Sequence, residues 1–197
     1  MTLHSYHASN VPSACALSGQ LAALVTSCRN ISNQTEIDTV VETLLVLALD
    51  HGDWERGLLF LTDGRRNDIQ AEAIRRDGIA NVVLAPALSA IPKFPISVLR
   101  YVLRMERAVR LDDAVADNQF SDDDFLRRNS ACSLLCFPLL TQREIAGVLY
   151  LENSLSPHAF DADRLAMLEL LSINAAVMLR NLRLAVDRRH NGLEQNR

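Results

Sequence analysis

Cysteine is the most reactive residue type that recurs at a short spacing in this sequence. Cys132 and Cys136 lie four residues apart in an apolar segment. On a β-strand they would point to the same face, about 13 Å apart at ~3.3 Å per residue. That separation is too long for a disulfide or for a shared metal ion. We therefore expect both thiols, like those of Cys15 and Cys28, to be reduced and buried as small hydrophobic groups.

Carboxylates are the second residue type that could bind a ligand. Asp122, Asp123 and Asp124 follow Ser121, but they lack the ligand spacing of a known calcium loop. With Ser121 as the cap, they are typical of the first turn of a helix, where the helix dipole stabilises carboxylates. The histidines are scattered and predict no haem or zinc site, so we expect no metal or cofactor. They are His4, His7, His51, His158 and His190.

The composition limits the classes of function. The chain has 197 residues and a formal charge of −4, which suits one domain with flanking helices and argues against nucleic acid as a partner. No uninterrupted apolar run approaches the ~20 residues of a membrane helix, and residues 1–12 lack a signal-peptide core. These features predict a cytoplasmic protein that does not associate with a membrane.

The elements that must position these residues are organised around the segment 130–153. Its two apolar runs, 132–140 and 145–151, flank the polar residues 141–144, which predicts a β-hairpin. Neither run alternates with polar residues, so both faces of the hairpin should be covered, at the centre of a sheet. Gly147 supports this position because a glycine in a central strand marks a bulge or a close backbone approach.

The other elements follow from apolar spacing and turn residues. We expect further strands at 54–62, 68–75, 79–84 and 109–111. We expect helices at 14–28, from a Thr35 cap to His51, at 95–105, in a short turn that begins at Ser121, and from an Asp161 cap to Val186.

The two terminal helices have apolar residues at a three-four spacing, which is typical of a seam between helices. These seams are too long to be used within one domain, so we predict a parallel homodimer through a helical bundle. The predicted interface residues are Leu17, Leu21, Leu24, Leu168, Ala175, Leu179 and Leu182. The predicted organisation is a disordered N-terminus at 1–12, a helix at 13–31, a domain at 35–184 and a helical extension or linker at 185–197.

Several segments together resemble a GAF domain, the small-molecule-sensing module of bacterial signalling proteins and some phosphodiesterases. They are residues 55–61 (ERGLLFL), 109–114 (VRLDDA), 135–139 (LCFPL), 147–153 (GVLYLEN), Phe160, Leu165 and 175–184. The sequence is most similar to GAF domains of bacterial multidomain sensor histidine kinases. The resemblance implies an α+β, PAS-related fold with an antiparallel sheet of about six strands. Terminal helices should cover one face, and a loop/helix segment should cover a pocket on the other.

The expected pocket lies between the hairpin and residues 92–128. Apolar walls with a few polar groups suit a small molecule. The candidate lining residues are Phe94, Leu99, Tyr101, Asp112, Asp113, Phe120, Phe125, Arg127, Cys132, Leu134 and Cys136. Two alternatives stay open. Asp112 and Asp113 could lie in a solvated loop, and Phe120, Phe125 and Leu126 could fill the space as core.

The resemblance implies a non-catalytic sensor that binds a small ligand or a partner. Its terminal helices would relay the change to a histidine kinase or another output domain, in cis or in trans. The sequence itself contains neither the phospho-accepting histidine motif nor the glycine boxes of a kinase. The alternative is a dimerisation or scaffolding module whose pocket is filled by its own side chains.

Three other GAF activities fit the sequence less well. A free methionine sulfoxide reductase has its cysteines in a loop ahead of the central hairpin, whereas Cys132 and Cys136 are predicted within the strand. Tetrapyrrole attachment usually needs a cysteine followed by histidine, and no cysteine here has that neighbour. The Asn-Lys, Phe and Asp-Glu pattern of cyclic-nucleotide-binding GAF domains is not reproduced, although Asn118, Phe120 and Asp122 are superficially similar. We therefore expect no enzyme activity.

Overall fold

The structure is a computed structural model that describes residues 34–50, 52, 54–62, 67–84, 94–116, 118–128, 132–142, 144–157, 160 and 162–194. The predicted disordered N-terminus and N-terminal helix lie outside the described residues. The same holds for Leu17, Leu21 and Leu24 of the predicted dimer interface, and for Cys15 and Cys28.

The described strands form one antiparallel sheet. They are β1 (Arg56–Thr62), β2 (Asn67–Arg76), β3 (Ile79–Leu84), β4 (Val109–Leu111), β5 (Ser133–Leu140) and β6 (Ile145–Asn153). Their order across the 6-stranded sheet is β3-β2-β1-β6-β5-β4. The predicted hairpin is therefore confirmed as β5–β6, and β6 lies between β1 and β5.

The hairpin closes through a short turn in which the Thr141 N–H donates to the Glu144 carbonyl oxygen at 2.9 Å. A Cβ atom added at Gly147 would lie 2.3 Å from the carbonyl oxygen of Phe60 on the neighbouring strand. The close backbone approach predicted at this glycine is thus confirmed. One boundary differs from the prediction. Because β5 begins at Ser133, Cys132 lies just before the strand and not within it.

Helices cover both faces of the sheet. They are α1 (Gln34–Asp50), α2 (Ile96–Met105), α3 (Asp124–Arg128) and α4 (Ala162–Glu194). Leu59 and Leu61 of β1 contact the core with α1 and α4, whereas Leu58 and Phe60 contact the core with α2 and α3. This alternation follows from the two-residue repeat of a strand. It confirms the α+β arrangement, with the terminal helix on one face and the loop/helix segment on the other.

The long helix α4 has two apolar faces. On its inner face Leu168, Ala175 and Leu179 are buried against the sheet and α1, and Leu182 is half-buried there. These residues of the predicted dimer interface therefore belong to the core of a single chain. The three-four spacing identifies a shared helical face, but spacing alone does not tell which apolar face meets the chain's own sheet.

The outer face of α4 carries a separate row of exposed apolar side chains, here called the outer stripe. It consists of Leu170, Ile173, Val177 and Leu184, which are 37%, 53%, 49% and 41% exposed. Because both faces are apolar, the helix segment Arg164–Leu184 has a mean hydropathy of 1.4. By length and composition alone, this segment could cross a membrane. A search for uninterrupted apolar runs does not find this segment, because polar residues such as Glu169, Ser172 and Asn174 interrupt it. Within the chain, part of that apolar character belongs to the packed inner face.

Candidate functional site

The candidate site is built around the start of α2. The helix begins after Pro95, whose side chain cannot cap it, and ends at Glu106 in a left-handed conformation. Val98, Leu99 and Val102 are buried towards the sheet. A helix with an inward face at these positions presents Ser97 and Arg100, one turn apart, on another side. The described cavity opens on that side.

Asp123 joins α2 to α3. Its Oδ1 atom accepts a hydrogen bond from the Phe125 N–H at 2.9 Å, and its Oδ2 atom accepts one from the Ser97 N–H at 2.9 Å. One carboxylate therefore satisfies amide donors at the starts of two helices.

The predicted cap residue is thereby corrected from Ser121 to Asp123. The Ser121 hydroxyl is engaged in the preceding turn, where it donates to the Asn118 carbonyl oxygen at 2.8 Å. It also accepts from the Asn118 N–H at 2.7 Å. The helix therefore begins two residues later than the position of Ser121 indicates.

A half-enclosed cavity of about 590 Å³ lies beside this junction. Its aromatic walls are Phe94, Phe120 and Phe125, and Ile96, Ser97 and Arg100 line it from α2. Its remaining lining residues are Gln119, Asp122, Asp123, Asp124, Arg127 and Arg128. The two aromatic walls nearest α2 are held by edge-to-face contacts, Phe94 with Phe60 at 4.8 Å and Phe120 with Tyr101 at 5.5 Å between ring centroids.

The charged side chains around the cavity differ in whether they have hydrogen-bond or ion-pair partners. Asp124 accepts from Arg127 at 2.6 Å and lies 3.7 Å from Arg128. The hydrogen bond from Arg127 lowers the pKa of the Asp124 carboxyl. The side chains of Arg100 and Asp122 are exposed and make no hydrogen bond or ion pair with other described residues. Among the described residues that line the cavity, one guanidinium and one carboxylate thus have no hydrogen-bond or ion-pair partner.

The Ser97 hydroxyl also faces this junction without a partner. Its oxygen is buried and forms no hydrogen bond within the described part of the chain. A buried hydroxyl without a partner costs free energy.

The structure distributes the predicted pocket residues over several surroundings. Phe94, Phe120, Phe125 and Arg127 line the cavity. Leu99, Leu134 and Cys136 lie deeper, packed between α2 and the sheet. Phe120 and Phe125 also belong to this packed cluster, with Leu126, so the space directly against the hairpin is filled by apolar side chains. The described cavity is therefore displaced from the expected position, outward along α2 and α3, and none of its lining residues lies on a strand.

Tyr101, Asp112, Asp113 and Cys132 do not line this cavity. Asp112 pairs with Arg110, and Asp113 Oδ1 accepts from the N–H groups of Val115 and Ala116 at 3.1 and 3.0 Å. Both carboxylates therefore organise their own loop.

The two cysteines have different surroundings. Burial raises the pKa of the Cys136 thiol far above its ordinary value, so this thiol is inert. Cys132 is half-buried and its Sγ donates to the Ser154 carbonyl oxygen at 3.2 Å. Since Cys132 precedes β5, its predicted position within the strand does not hold, and that argument against a catalytic cysteine applies to Cys136 alone.

A half-buried ionic network on the sheet is not indicated by the sequence patterns. Arg56 Nε donates to Glu72 at 2.7 Å, Arg56 Nη1 donates to Glu152 at 3.0 Å, and the Tyr150 hydroxyl donates to Glu152 at 2.6 Å. Burial opposes the charge of Arg56, but the two carboxylates raise its pKa. Burial and the nearby Glu152 raise the pKa of Tyr150 well above its ordinary value. The available signal was the presence of charged residues in strands that are otherwise apolar.

The family model for the GAF domain matches residues 36–179. This chain belongs to the GAF domain family. One relative is the hybrid signal transduction histidine kinase G of Dictyostelium discoideum, 32% identical over 91 residues. The match covers 46% of this chain but only 3% of that protein. This GAF domain is thus related to a signalling protein and spans a small part of its length.

Solved structures share the fold. One is a methyl-accepting chemotaxis protein, residues 122 to 287, with a TM-score of 0.59 and 16% identity, covering 82% of this chain and 97% of that one. Another is the GAF domain of a phosphoenolpyruvate-protein phosphotransferase from Coxiella burnetii, with a TM-score of 0.57 and 16% identity, covering 89% and 98% of the two chains. At such identities the likeness extends to the fold alone.

Proposed function

We propose that this GAF domain is a non-catalytic regulatory module of a cytoplasmic signalling protein. It forms a parallel homodimer through α4 and relays the binding of a small ligand or a partner along that helix. The observation that carries the proposal is the outer stripe, an apolar face that the chain's own core leaves exposed. The relationship to a histidine kinase supports the regulatory role.

The spacing of the outer stripe fits a helix pair. Leu170, Ile173 and Val177 are separated by three and four residues, and Leu184 follows seven residues after Val177. This is the heptad pattern of a seam between two helices. A second copy of α4 would cover the stripe, and burial of apolar surface would drive the association.

The inner side of α4 supplies the mechanical connection to the sheet. Arg183 donates to the Thr62 carbonyl oxygen at the end of β1, and Arg180 lies 3.8 Å from Glu144 beside the β5–β6 turn. The helix then continues to Glu194. A shift of the sheet would therefore be transmitted to α4 just before the helix leaves the domain, towards an output domain in cis or in trans.

A non-catalytic role is supported by the buried Cys136 thiol, because a thiolate is the nucleophilic form and burial disfavours it.

The proposed site for a small ligand is the cavity between α2 and α3. The second candidate function is a dimerisation or scaffolding module. It is favoured by the apolar packing of Leu99, Phe120 and Phe125 in one buried cluster against the sheet. Retained small-molecule mass in native mass spectrometry would favour the sensor.

The dimer is tested by light scattering of the full chain at tens of micromolar. We expect the wild type to be a dimer and Val177→Asp to be a monomer with an unchanged circular dichroism spectrum, because a charge in the seam would be desolvated without a partner. Val115→Asp is the matched control, since Val115 is 70% exposed and lies outside α4, and it should remain a dimer. A monomeric wild type, or a dimeric Val177→Asp variant, would overturn the proposal.

A further inference from the structure

We infer that the cavity between α2 and α3 binds a small zwitterion of the α-amino acid class with an apolar side chain. This inference deepens the proposed ligand-sensing role and rests on it. Three features of the described residues support it: the size of the cavity, its aromatic walls and its balance of charge.

The cavity is large enough and suitably walled for such a ligand. Its volume of about 590 Å³ lies within the range of small-molecule sites. Phe94 and Phe120 present aromatic surface that is already fixed by contacts with Phe60 and Tyr101. Rigid apolar walls lower the cost of ordering on binding. They suit a compact apolar side chain.

The charge around the cavity is balanced, which selects for a ligand of zero net charge. Three aspartates and three arginines line it. Asp124 is paired with Arg127 and lies near Arg128, and both oxygens of Asp123 are engaged by backbone N–H groups. Arg100 and Asp122, one of each sign, make no hydrogen bond or ion pair with other described residues, although the Asp122 carboxylate also helps to raise the pKa of Arg127. A ligand with one carboxylate and one ammonium group matches this remaining pair.

Arg100 fixes the end of the cavity that receives the carboxylate. Ser97 and Arg100 are three residues apart on α2, so their side chains lie on one side of the helix, but the Ser97 oxygen is buried and does not contact the cavity space. The exposed Arg100 guanidinium can donate to a carboxylate. Asp122 is then the acceptor for the ammonium group. A small inorganic anion would satisfy Arg100 but would leave Asp122 unmatched and meet repulsion from the aspartates.

The experiment titrates the full chain with L-phenylalanine, N-acetyl-L-phenylalanine, L-phenylalanine methyl ester and inorganic phosphate, followed by amide chemical shifts. We expect saturable shifts around Ser97 and Asp122 with L-phenylalanine, and at least tenfold weaker binding of the two singly charged derivatives and of phosphate. Arg100→Gln and Asp122→Asn should each weaken binding at least tenfold. Arg104→Gln, an exposed arginine on α2 that does not line the cavity, should bind as the wild type does.

Two results would overturn the inference. One is no saturable shift with L-phenylalanine up to about 10 mM, a limit that already allows weak affinity. The other is equal binding of the N-acetyl derivative or of the methyl ester. Light scattering of the same samples distinguishes failure of this inference from failure of the proposed dimer. If the chain is a dimer but does not bind L-phenylalanine, only the ligand class is contradicted. If the chain binds L-phenylalanine but is a monomer, only the relay through α4 is contradicted.

Discussion

Gly147 is a position where the sheet leaves no room for a side chain. A Cβ atom there would lie 2.3 Å from the Phe60 carbonyl oxygen, a backbone atom that cannot rotate away. At Gly57 the nearest atoms are side-chain methyl groups of Leu151 and Leu45 at 3.2 Å. The two glycines therefore differ in what would have to move, although both lie in central strands.

We predict that Gly147→Ala lowers the free energy of unfolding by about 3 kcal/mol, at the upper end of overpacking effects. Gly57→Ala should lower it by about 1 kcal/mol, because the leucine methyl groups can shift by a few tenths of an ångström. Urea denaturation of both variants measures the difference. Equal losses would contradict the assignment of the clash to the backbone of β1.

At the residue scale, mutual pairing explains the half-buried charges on the sheet. Arg56, Glu72 and Glu152 are separated by many residues in sequence but share one face of three adjacent strands. Removal of one member would leave a half-buried charge unmatched, which lowers stability. The network is therefore compatible with the observed register of β1 against β2 and β6 and adds to its stability.

At the scale of elements, one carboxylate joins α2 to α3. Because Asp123 accepts from the N–H groups of both Ser97 and Phe125, we predict that Asp123→Ala lowers the free energy of unfolding by about 1–2 kcal/mol. Asp122→Ala is the matched control, since its side chain is exposed and makes no bond with other described residues, and it should change stability by less than about 0.5 kcal/mol. Thermal or urea denaturation tests this. A loss of the same size for Asp122→Ala would show that the helix dipole, and not the two hydrogen bonds, is responsible.

The helix α4 shows how one element can serve two partners. Its inner face completes the core with α1 and the sheet, and its outer stripe stays exposed. Leu179 is 1% exposed, so Leu179→Asp should unfold the chain and does not report on dimerisation. Val177 on the outer stripe is the informative position.

At the scale of the whole molecule, a dimer through α4 links stability to concentration. We predict that the melting temperature of the wild type rises by a few degrees over a tenfold increase in protein concentration, because association stabilises only the folded chain. The Val177→Asp variant should melt at a temperature that does not depend on concentration. Scanning calorimetry at several concentrations measures both. A wild-type melting temperature that is independent of concentration would contradict the dimer.

The sequence alone determined the family, the central hairpin and the described strands and helices to within a few residues at most ends. The apolar runs on either side of residues 141–144 carry local information, because the hydrophobic period and the turn residues depend on neighbours in the chain. The close backbone approach at Gly147, in contrast, joins it to Phe60 on another strand. Side-chain periodicity also predicted correctly that both faces of the hairpin are covered. Ser121 is not the cap because its hydroxyl is engaged by Asn118, and because the Phe125 N–H at the helix start donates to Asp123 instead.

Only the tertiary structure decided which apolar residues are core and which are surface. Periodicity shows that Leu168, Ala175 and Leu179 share a face, but not that this face meets the sheet while Ile173 and Val177 remain exposed. It likewise groups aromatic residues near a pocket without showing which of them fill the space against the hairpin. The physical reason is that burial and ion pairing depend on distances between residues far apart in sequence, which exist only once the elements have packed.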